Sequence, residues 1–531
     1  MEIVGSDPKD SVQLQRGAPE PPAGQKAGLS RAASLNAAAA GLDFTARTVV
    51  ELVLNPLLLS GLGDYLFGAW RILWRLTGYL WATSGRAAQA LQSAIANRLQ
   101  SNDVAEKRRL VGAAVVVWAL YLPLLSVVTF IAMWVLPGLI DSPPNQVATI
   151  RWTIFLLGVD SMMVSLATIP QATLSGENLG YRRMGLTTAL VLVSGGLTVA
   201  ALWLGAGMIG IAAVNLLGTL GTGAVFWKIT RTNVKWFGSA RPRRPEVRWF
   251  FGLSSWFMVW KFVNQLMMAG DVLVLGIFGS VELVSTYTLT KFIPEAILPL
   301  LSMLVMGGIP GLGGIIGARD HARARRVRGE VIALTWLLAL AAAVGILVWN
   351  ESFVALWVGE QYFAGHVQLL LLMLTLLQLA LIRSDAFVID VTLNVRTKTL
   401  TGLVSSVISL VVASVLIGKY DMGITGLCIG LLAGRSLLTV IYPALIGRTI
   451  EHSLGQQLRS SVRPGLVTVG MFVVAYLASL HVLTGSWVVL IVGSSITGLA
   501  ALGLAYFLGL DPLTRRRVTK RVRALAGRSA R

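Results

Sequence analysis

Charged residues are scarce in this chain of 531 residues. Asp, Glu, Lys and Arg make up 13% of it, whereas hydrophobic residues make up 55%. A soluble domain contains about 25% charged residues, because charge is what covers a surface that faces water. A chain this poor in charge cannot cover such a surface, so we expect lipid to be its main solvent. The composition therefore predicts an integral membrane protein.

Other absences exclude whole classes of protein. The single cysteine, Cys428, lies in an apolar stretch, and one cysteine cannot form a disulfide framework. The phosphate-binding pattern GxxxxGK[ST] does not occur, so ATP is not expected to drive any transport. We expect no cofactor and no metal site, because no two histidines have the spacing of metal ligands. The histidines are His321, His366, His452 and His481.

What the sequence does contain is a series of long apolar stretches. Each is near or above the roughly 20 residues that cross about 30 Å of hydrocarbon as a helix, and none alternates as barrel strands do. The predicted fold class is an all-α integral membrane protein with about 14 transmembrane helices. The predicted spans are 46–63, 66–86, 110–136, 152–172, 184–205, 207–228, 250–277, 284–309, 331–350, 368–389, 399–417, 422–446, 464–482 and 487–508.

Lysine and arginine fall almost entirely in every second gap between these spans. Those gaps, the C-terminal tail and the border residue Lys228 account for 31 of them, and the remaining gaps hold 2, Arg151 and Lys419. Because cytoplasmic loops carry the excess of Lys and Arg, we expect both termini in the cytoplasm. The net charge of +20 is explained in this way, and we expect no nucleic-acid partner.

The sequence also contains an internal repeat. Asp, Ala, two Arg and Gly match between residues 103–112 and 320–329, and each segment follows the second span of a six-span block. The alternative is that basic loops resemble one another by chance. The repeat predicts two pseudo-symmetric six-helix lobes with the substrate near the membrane midplane between them. The predicted divisions are a disordered cytoplasmic tail 1–43, an N-lobe 44–228, a basic inter-lobe loop 229–249, a C-lobe 250–446, two further helices in 464–508 and a basic cytoplasmic tail 511–531.

Three segments resemble a known family. Leu62-Gly-Asp-Tyr-Leu-Phe-Gly-Ala-Trp70 is similar to the turn after the first helix of lipid-linked oligosaccharide flippases, and Trp357-Val-Gly-Glu-Gln-Tyr362 is similar to an outer segment of theirs. Gly270-Asp-Val-Leu-Val-Leu-Gly-Ile-Phe-Gly279, followed by Val284-Ser-Thr-Tyr287, is similar to their seventh helix. The family is the polysaccharide-transporter (Wzx-like) branch of the multidrug/oligosaccharidyl-lipid/polysaccharide exporter superfamily. The likeness covers roughly residues 46–446.

The resemblance implies a fold, a substrate and a location. Two six-helix lobes would enclose a central cavity and work by alternating access on a polyprenyl-diphosphate-linked oligosaccharide, in a bacterial cytoplasmic membrane. Membrane lipids and polysaccharide polymerase or chain-length proteins are the other expected partners, and we expect a monomer. The chain departs from the family in its long N-terminal tail and its arginine-rich second helix.

Ionisable residues inside the predicted spans need a reason, because each costs roughly 3 kcal/mol at the midplane. Arg71, Arg75, Lys261 and Lys291 are the candidate substrate-binding residues, since arginine offers phosphate a fork of donors and lysine a point charge. The alternatives are that these side chains reach the headgroups or form ion pairs, notably Lys291 with Glu295 four residues on.

Carboxylates and tryptophans in the spans have two interpretations each. Asp271, Glu295, Asp160 and Glu51 are candidates for ion coupling, or they are salt-bridge partners. Trp70 and Trp74 either stack on sugars near the outer mouth or anchor the helix at the interface. Arg383 and Asp385 are predicted to form a structural pair.

The sequence supports a flippase for a polyprenyl-diphosphate-linked oligosaccharide and not an enzyme. Three alternatives stay open at this point: a cation-coupled drug antiporter, a peptidoglycan-precursor flippase, and a membrane polysaccharide polymerase or ligase. The antiporter class has a carboxylate-lined pocket, whereas the candidates in this chain are cationic. An enzyme needs catalytic groups on a sizeable outer loop, and the longest outer gap, about 350–367, contains few such groups.

Overall fold

A computed structural model describes residues 23–82, 87–96, 103–177, 179, 185–306, 315, 320–391 and 395–519. Within these ranges the chain is almost entirely α-helical and has no strand. Twelve of the described helices are long and apolar enough to cross a membrane. The predicted all-α membrane fold is therefore confirmed.

The helices have the following bounds. They are α1 (Ala23–Ala82), α2 (Ala87–Ala96), α3 (Val104–Leu139), α4 (Val147–Ala167), α5 (Ile169–Gly176), α6 (Leu186–Trp203), α7 (Gly207–Asn233), α8 (Arg244–Phe278), α9 (Val281–Thr290), α10 (Phe292–Met306), α11 (His321–Trp357), α12 (His366–Val391), α13 (Val395–Gly418), α14 (Gly423–Thr449), α15 (Leu454–Ser479) and α16 (Trp487–Leu504). A single 3₁₀ turn (Glu360–Tyr362) precedes α12.

Helix α1 is broken at Gly63, whose φ of 76° and ψ of 170° lie outside the helical region. Only glycine adopts such angles without strain. The first half runs alongside α6 in the same direction, because Asp43 accepts a hydrogen bond from Thr188 (2.5 Å) at the start of α6 and Gly61 contacts Leu202 near its end.

The second half of α1 runs back in the other direction. Gly68 lies against Val281, just beyond the end of α8, and Gly78 lies against Gln265 in the middle of α8. The chain therefore reverses at Gly63, and α1 contains the first two predicted spans.

The eighth predicted span is divided by a break at Lys291, where α9 ends and α10 begins. Pro294 lies in the first turn of α10. Backbone N–H groups in a first turn have no acceptor within the helix, so a proline there costs no hydrogen bond. With α1 crossing twice and α9 and α10 crossing once together, the described helices are consistent with about fourteen crossings.

The two repeat segments adopt the same local structure. Asp103 caps α3 by accepting a hydrogen bond from the Glu106 N–H (2.9 Å), and Asp320 caps α11 by accepting one from the Arg323 N–H (3.0 Å). Both segments are first turns of helices and not the loops that we predicted. Aspartate satisfies the free N–H groups of a first turn, so the basic residues after it continue the helix.

A second correspondence follows five residues later in each repeat. Arg108 donates from Nε to the Trp236 carbonyl (2.8 Å), just after α7, and Arg325 donates from Nη1 to the Ile450 carbonyl (2.9 Å), just after α14. Each arginine ties its helix to the chain that leaves the sixth span of its block. We call α1–α7 the first lobe, α8–α14 the second lobe, and the end where these arginines lie the basic end.

Several predicted boundaries are wrong. Residues 23–43 are helical and not a disordered tail, because alanine, abundant there, is the best helix former. Helix α7 extends to Asn233 and α8 begins at Arg244, so helix occupies most of the predicted loop 229–249. Helix α2 was not predicted, although it has a buried face formed by Ala87, Ala90, Leu91, Ala94 and Ile95. Residues 1–22 and 520–531 lie outside the described residues.

Candidate functional site

The two lobes meet at the end of the bundle away from the basic end, which we call the opposite end. Tyr362 donates its hydroxyl hydrogen to the Asp64 carboxylate, and Ser285 donates to the Asp64 carbonyl oxygen (2.9 Å). A Cβ on Gly68 would lie 2.2 Å from the Val281 carbonyl oxygen, so the helices touch through backbone there. The three segments that carry the family resemblance come together at this closure.

Tyr362 lies outside the spanning helices, in the turn after α11. Partial burial, and then the hydrogen bond to Asp64, raise the pKa of the Tyr362 hydroxyl to about 12. The hydroxyl therefore stays a hydrogen-bond donor throughout the neutral range. Trp357 adds a further contact between the lobes by donating from Nε1 to the Leu52 carbonyl (2.7 Å).

Arg75 and Glu295 form an ion pair between the lobes, deeper in the bundle. The Arg75 Nη2 lies 2.6 Å from one Glu295 oxygen and 2.7 Å from the other. The side chains remain 25% and 41% exposed, although each has charged groups of both lobes around it. Their accessible surface therefore faces a space between the lobes.

Arg71 lies one helical turn before Arg75 on the same face of α1. It donates from Nη2 to the Asn55 side-chain oxygen and rests 5.0 Å from the centre of the Phe67 ring. The Arg71 Nε and the Asn55 Nδ2 are buried without a hydrogen-bond partner among the described residues. A buried donor without a partner is costly, and an ordered water or a bound anion satisfies such a donor.

Lys291 and Asp271 form a second ion pair, inside the second lobe. The Asp271 carboxylate accepts from Lys291, from the Tyr287 hydroxyl (2.7 Å) and from the Val272 N–H (2.9 Å). Its side chain is 4% exposed. In this conformation Asp271 is therefore buried in a hydrogen-bonded network inside the second lobe.

Two expected ion pairs do not form. Lys291 and Glu295 are four residues apart, but each is held by another partner, Lys291 by Asp271 of α8 and Glu295 by Arg75 of α1. Asp385 pairs with Arg328 (both contacts 2.9 Å) and not with Arg383. Residues two apart on a helix point in nearly opposite directions, which is why Arg383 does not reach Asp385.

The remaining basic candidate, Lys261, lies on α8 nearer the basic end. Its Nζ is 5.3 Å from the centre of the Trp81 ring. Trp70 is 5% exposed and stacks on Trp74 at 5.8 Å, so Trp70 has no ring face available to a sugar in this conformation. Trp74 is 42% exposed.

The other two carboxylate candidates have no cationic hydrogen-bond partner among the described residues. Glu51 is exposed, yet Arg71, Arg75 and Glu295 lie within electrostatic range of it, so it faces the same inter-lobe space. Asp160 is 8% exposed in the first lobe, and its Oδ1 has no hydrogen-bond partner in the described structure. The Asp160 carboxylate forms a hydrogen bond with the Thr219 side chain.

Three further polar residues complete the site. The Asn55 side chain accepts from Arg71, the Tyr287 hydroxyl donates to Asp271, and Arg435 donates from Nη2 to the Met267 carbonyl (2.9 Å) one turn before Asp271. Arg435 is itself an ion in an apolar span and Tyr287 belongs to a segment of the family resemblance, whereas Asn55 is marked in the sequence only as a polar residue in an apolar span.

The charged residues between and beside the lobes have an excess of positive charge. Arg71, Arg75, Lys261, Lys291 and Arg435 outnumber Glu51, Asp271 and Glu295. Within the described residues no group of three His, Cys, Asp or Glu side chains has the arrangement of a metal site. The arrangement is suited to an anion that enters between the lobes and competes with carboxylates for arginine.

Residues 100–368 match the family described as "Polysaccharide biosynthesis protein". The match covers half of the chain, and the protein belongs to this family. No curated protein sequence matches the chain significantly.

Solved structures share its fold. The lipid II flippase MurJ in an inward closed conformation has a TM-score of 0.65 at 13% identity, over 88% of this chain and 98% of that one. An inward-facing multidrug resistance MATE transporter of the MOP superfamily has a TM-score of 0.56 at 15% identity, over 76% and 94%. A MOP superfamily transporter from Pyrococcus furiosus, described as having a binding pocket of reverse polarity, has a TM-score of 0.52 at 16% identity, over 77% and 93%. The fold is shared with these MOP superfamily transporters and with MurJ.

Proposed function

We propose that this protein translocates a polyprenyl-diphosphate-linked oligosaccharide across the cytoplasmic membrane for surface polysaccharide biosynthesis. The observation that carries the proposal is the pair of arginines on α1. Arg75 reaches from the first lobe to Glu295 of the second, and Arg71, one turn before it, has a buried donor without a partner among the described residues. A diphosphate supplies the oxygens that such donors require.

The ion pair between Arg75 and Glu295 gives this proposal a mechanism. In the described conformation Glu295 occupies the guanidinium fork. An entering diphosphate competes for the fork and displaces Glu295, and the displaced carboxylate then takes up a cation or a proton from the inter-lobe space. Loss of the contact between the lobes lets the opposite end open. The lipid tail stays in the membrane throughout, because only the charged head needs a polar path.

The direction of transport follows from the loop charges. The basic end carries most of the Lys and Arg of the loops, and the positive-inside rule assigns it to the cytoplasm. The closure between Asp64 and Tyr362 then lies on the outer side. In this conformation the substrate would load from the cytoplasm, as export of a polysaccharide precursor requires.

The proposal is tested by combining Arg71→Ala with Arg75→Ala in cells that depend on this protein. Lipid-linked oligosaccharide should accumulate on the inner leaflet and surface polysaccharide should disappear, at a normal level of the protein. Arg459→Ala, which removes an exposed arginine at the basic end, is the matched control and should leave surface polysaccharide intact. Normal surface polysaccharide in the double variant would refute the role of the two arginines.

The peptidoglycan-precursor flippase is the second candidate, and the likeness to MurJ at a TM-score of 0.65 favours it over a drug antiporter. The two candidate functions are distinguished by which lipid-linked sugar the protein translocates. Depletion of the protein should stop translocation of the polysaccharide precursor and leave translocation of lipid II unchanged. The opposite result would assign the protein to peptidoglycan synthesis.

A further inference from the structure

A polar pocket lies in the first lobe at the basic end, outside the charged cluster. It is formed where the second half of α1 ends, by α2, the end of α4 and the short helix α5. Its volume is 420 Å³, within the range of about 300–1,000 Å³ that is typical of small-ligand sites. No Asp, Glu, Lys or Arg lines it.

The pocket is lined by amides, hydroxyls and one aromatic ring. Gln92 of α2 and Gln171 of α5 line it, together with Ser175 and Trp81. The side-chain amides of Gln92 and Gln171 form no hydrogen bond with other described residues, so their donors and acceptors are available to a ligand. An amide both donates and accepts, as a sugar hydroxyl does, and an indole face packs against the apolar side of a sugar ring.

The pocket adjoins the positively charged part of the site. Trp81 lines it on one side, and the Lys261 Nζ lies 5.3 Å from the centre of the same indole ring. Helix α2, which carries Gln92, also packs on α8, which carries Lys261. A phosphate held by Lys261 would therefore have its attached sugar directly beside the pocket.

We propose that this pocket is a carbohydrate subsite, which binds uncharged sugars of the lipid-linked substrate as it loads from the basic end. The inference rests on the proposed function and adds the part of the substrate that the arginines do not recognise. The arginines and Lys261 bind the diphosphate, which all such lipids share. The pocket distinguishes a glycosylated lipid from a bare one.

Binding to the purified full-length protein in lipid nanodiscs tests the subsite. The probes are polyprenyl diphosphate alone and the same lipid carrying one glucose or one N-acetylglucosamine. The wild-type protein should bind a glycosylated lipid about tenfold more tightly than the bare lipid, the gain expected from one or two hydrogen bonds. Gln92→Ala combined with Gln171→Ala should abolish this difference and leave binding of bare polyprenyl diphosphate unchanged.

A matched control and a second variant complete the experiment. Gln146→Ala removes an amide at the opposite end of the same lobe, where the side chain forms no capping hydrogen bond, and it should retain the tenfold difference. Arg75→Ala should weaken binding of bare and glycosylated lipid alike. Unchanged binding of the bare lipid also demonstrates that the double variant is folded.

The possible failures are distinguishable. Equal binding of bare and glycosylated lipid by the wild-type protein would overturn the subsite and leave the proposed flippase function standing. Loss of bare-lipid binding in the glutamine double variant would also overturn the subsite. The two glutamines would then be needed for folding or for binding the phosphate, and not for recognising the sugar. No binding of either lipid by the wild-type protein would overturn the proposed function, and the subsite with it.

Discussion

The Arg75 guanidinium holds both carboxylate oxygens of Glu295, at 2.6 and 2.7 Å, and so joins α1 of the first lobe to α10 of the second. Both side chains are partly exposed, at 25% and 41%. Ion pairs that reach solvent contribute up to about 1 kcal/mol. Such a contact holds the lobes together and is weak enough for an entering anion to displace.

Removing the Glu295 charge should release the lobes. Glu295→Gln keeps the size of the side chain but removes the ion pair, so we expect up to a fivefold shift toward conformations open at the opposite end, the equivalent of about 1 kcal/mol. Spin labels on cysteines introduced at Ala206 and Gly485, exposed residues in loops at that end, report the distance. The native Cys428 is buried and should not react.

A control separates the ion pair from a general effect of the substitution. Glu330→Gln changes a glutamate of α11 that is not part of the pair between the lobes, and its distance distribution should match that of the wild-type protein. A wild-type distribution in Glu295→Gln as well would show that the ion pair does not hold the lobes together.

Gly68→Ala should prevent closure at the opposite end. The added Cβ would lie 2.2 Å from the Val281 carbonyl oxygen, which cannot move without displacing backbone. We expect the same pair of spin labels to be further apart, and transport to fall at least tenfold. Gly196→Ala, where nothing lies within 4 Å of the new Cβ, should have the wild-type distance and the wild-type transport rate.

Closure by Tyr362 should be independent of pH across the neutral range. Because closure raises the pKa of the hydroxyl from 10.0 to about 12, its stabilising effect is complete below pH 10 and is lost only as the pH rises through about 12. The spin-label distances should therefore agree between about pH 6 and about pH 9. Tyr362→Phe should increase the open population at every pH in this range, and an opening of the wild-type protein near neutral pH would contradict the assignment.

Asp385→Ala should lower the stability of the protein and leave transport by the folded molecules unchanged. Arg328 donates to Asp385 and to Gln457, so α11, α12 and α15 are joined by one buried guanidinium. Leaving that charge buried without its carboxylate costs about 3–5 kcal/mol. The melting temperature in detergent should fall by several degrees, while transport per folded molecule stays unchanged.

The pair of Lys398 with Asp390 is the comparison for this prediction. The Asp390 side chain is 43% exposed, against 7% for Asp385. Lys398→Met keeps the apolar stem and leaves Asp390, which water can solvate, whereas Asp385→Ala leaves Arg328, whose side chain is only 9% exposed, so Lys398→Met should lower the melting temperature by much less. Equal losses in the two variants would mean that burial of the charge left behind is not the cause.

Asp160→Asn should remove the dependence of transport on an ion gradient. The Asp160 carboxylate is 8% exposed, and its Oδ1 has no hydrogen-bond partner among the described residues. Such a carboxylate is suited to bind and release a proton. We expect wild-type transport to fall when a protonophore collapses the gradient, and Asp160→Asn to be slow with or without it.

The control for Asp160 is Asp141→Asn. Asp141 is exposed in a loop of the same lobe with a φ of 45°, a conformation that asparagine also adopts. This variant should keep both the rate and the response to the protonophore. Full gradient dependence in Asp160→Asn would exclude Asp160 from coupling.

Some elements of the site were accessible from the sequence and others were not. Arg71, Arg75 and Lys291 stand out because each is an ion in an apolar span, and the structure finds each of them in a polar interaction. The partner of Arg75 lies 220 residues away, and no local pattern connects the two. The local pattern gave a wrong partner for Lys291, because Asp271 and Arg75, both distant in the chain, hold Lys291 and Glu295 instead.

The sequence by itself determined the class of protein, the spans and the alternation of loop charge. These follow from transfer of each residue between water and lipid, which depends on local composition. Only the tertiary structure decided which ions pair, which end is closed and where the polar pocket lies. Those features arise from packing between helices distant in the chain, as where the reversal at Gly63 brings the two halves of α1 against α6 and α8.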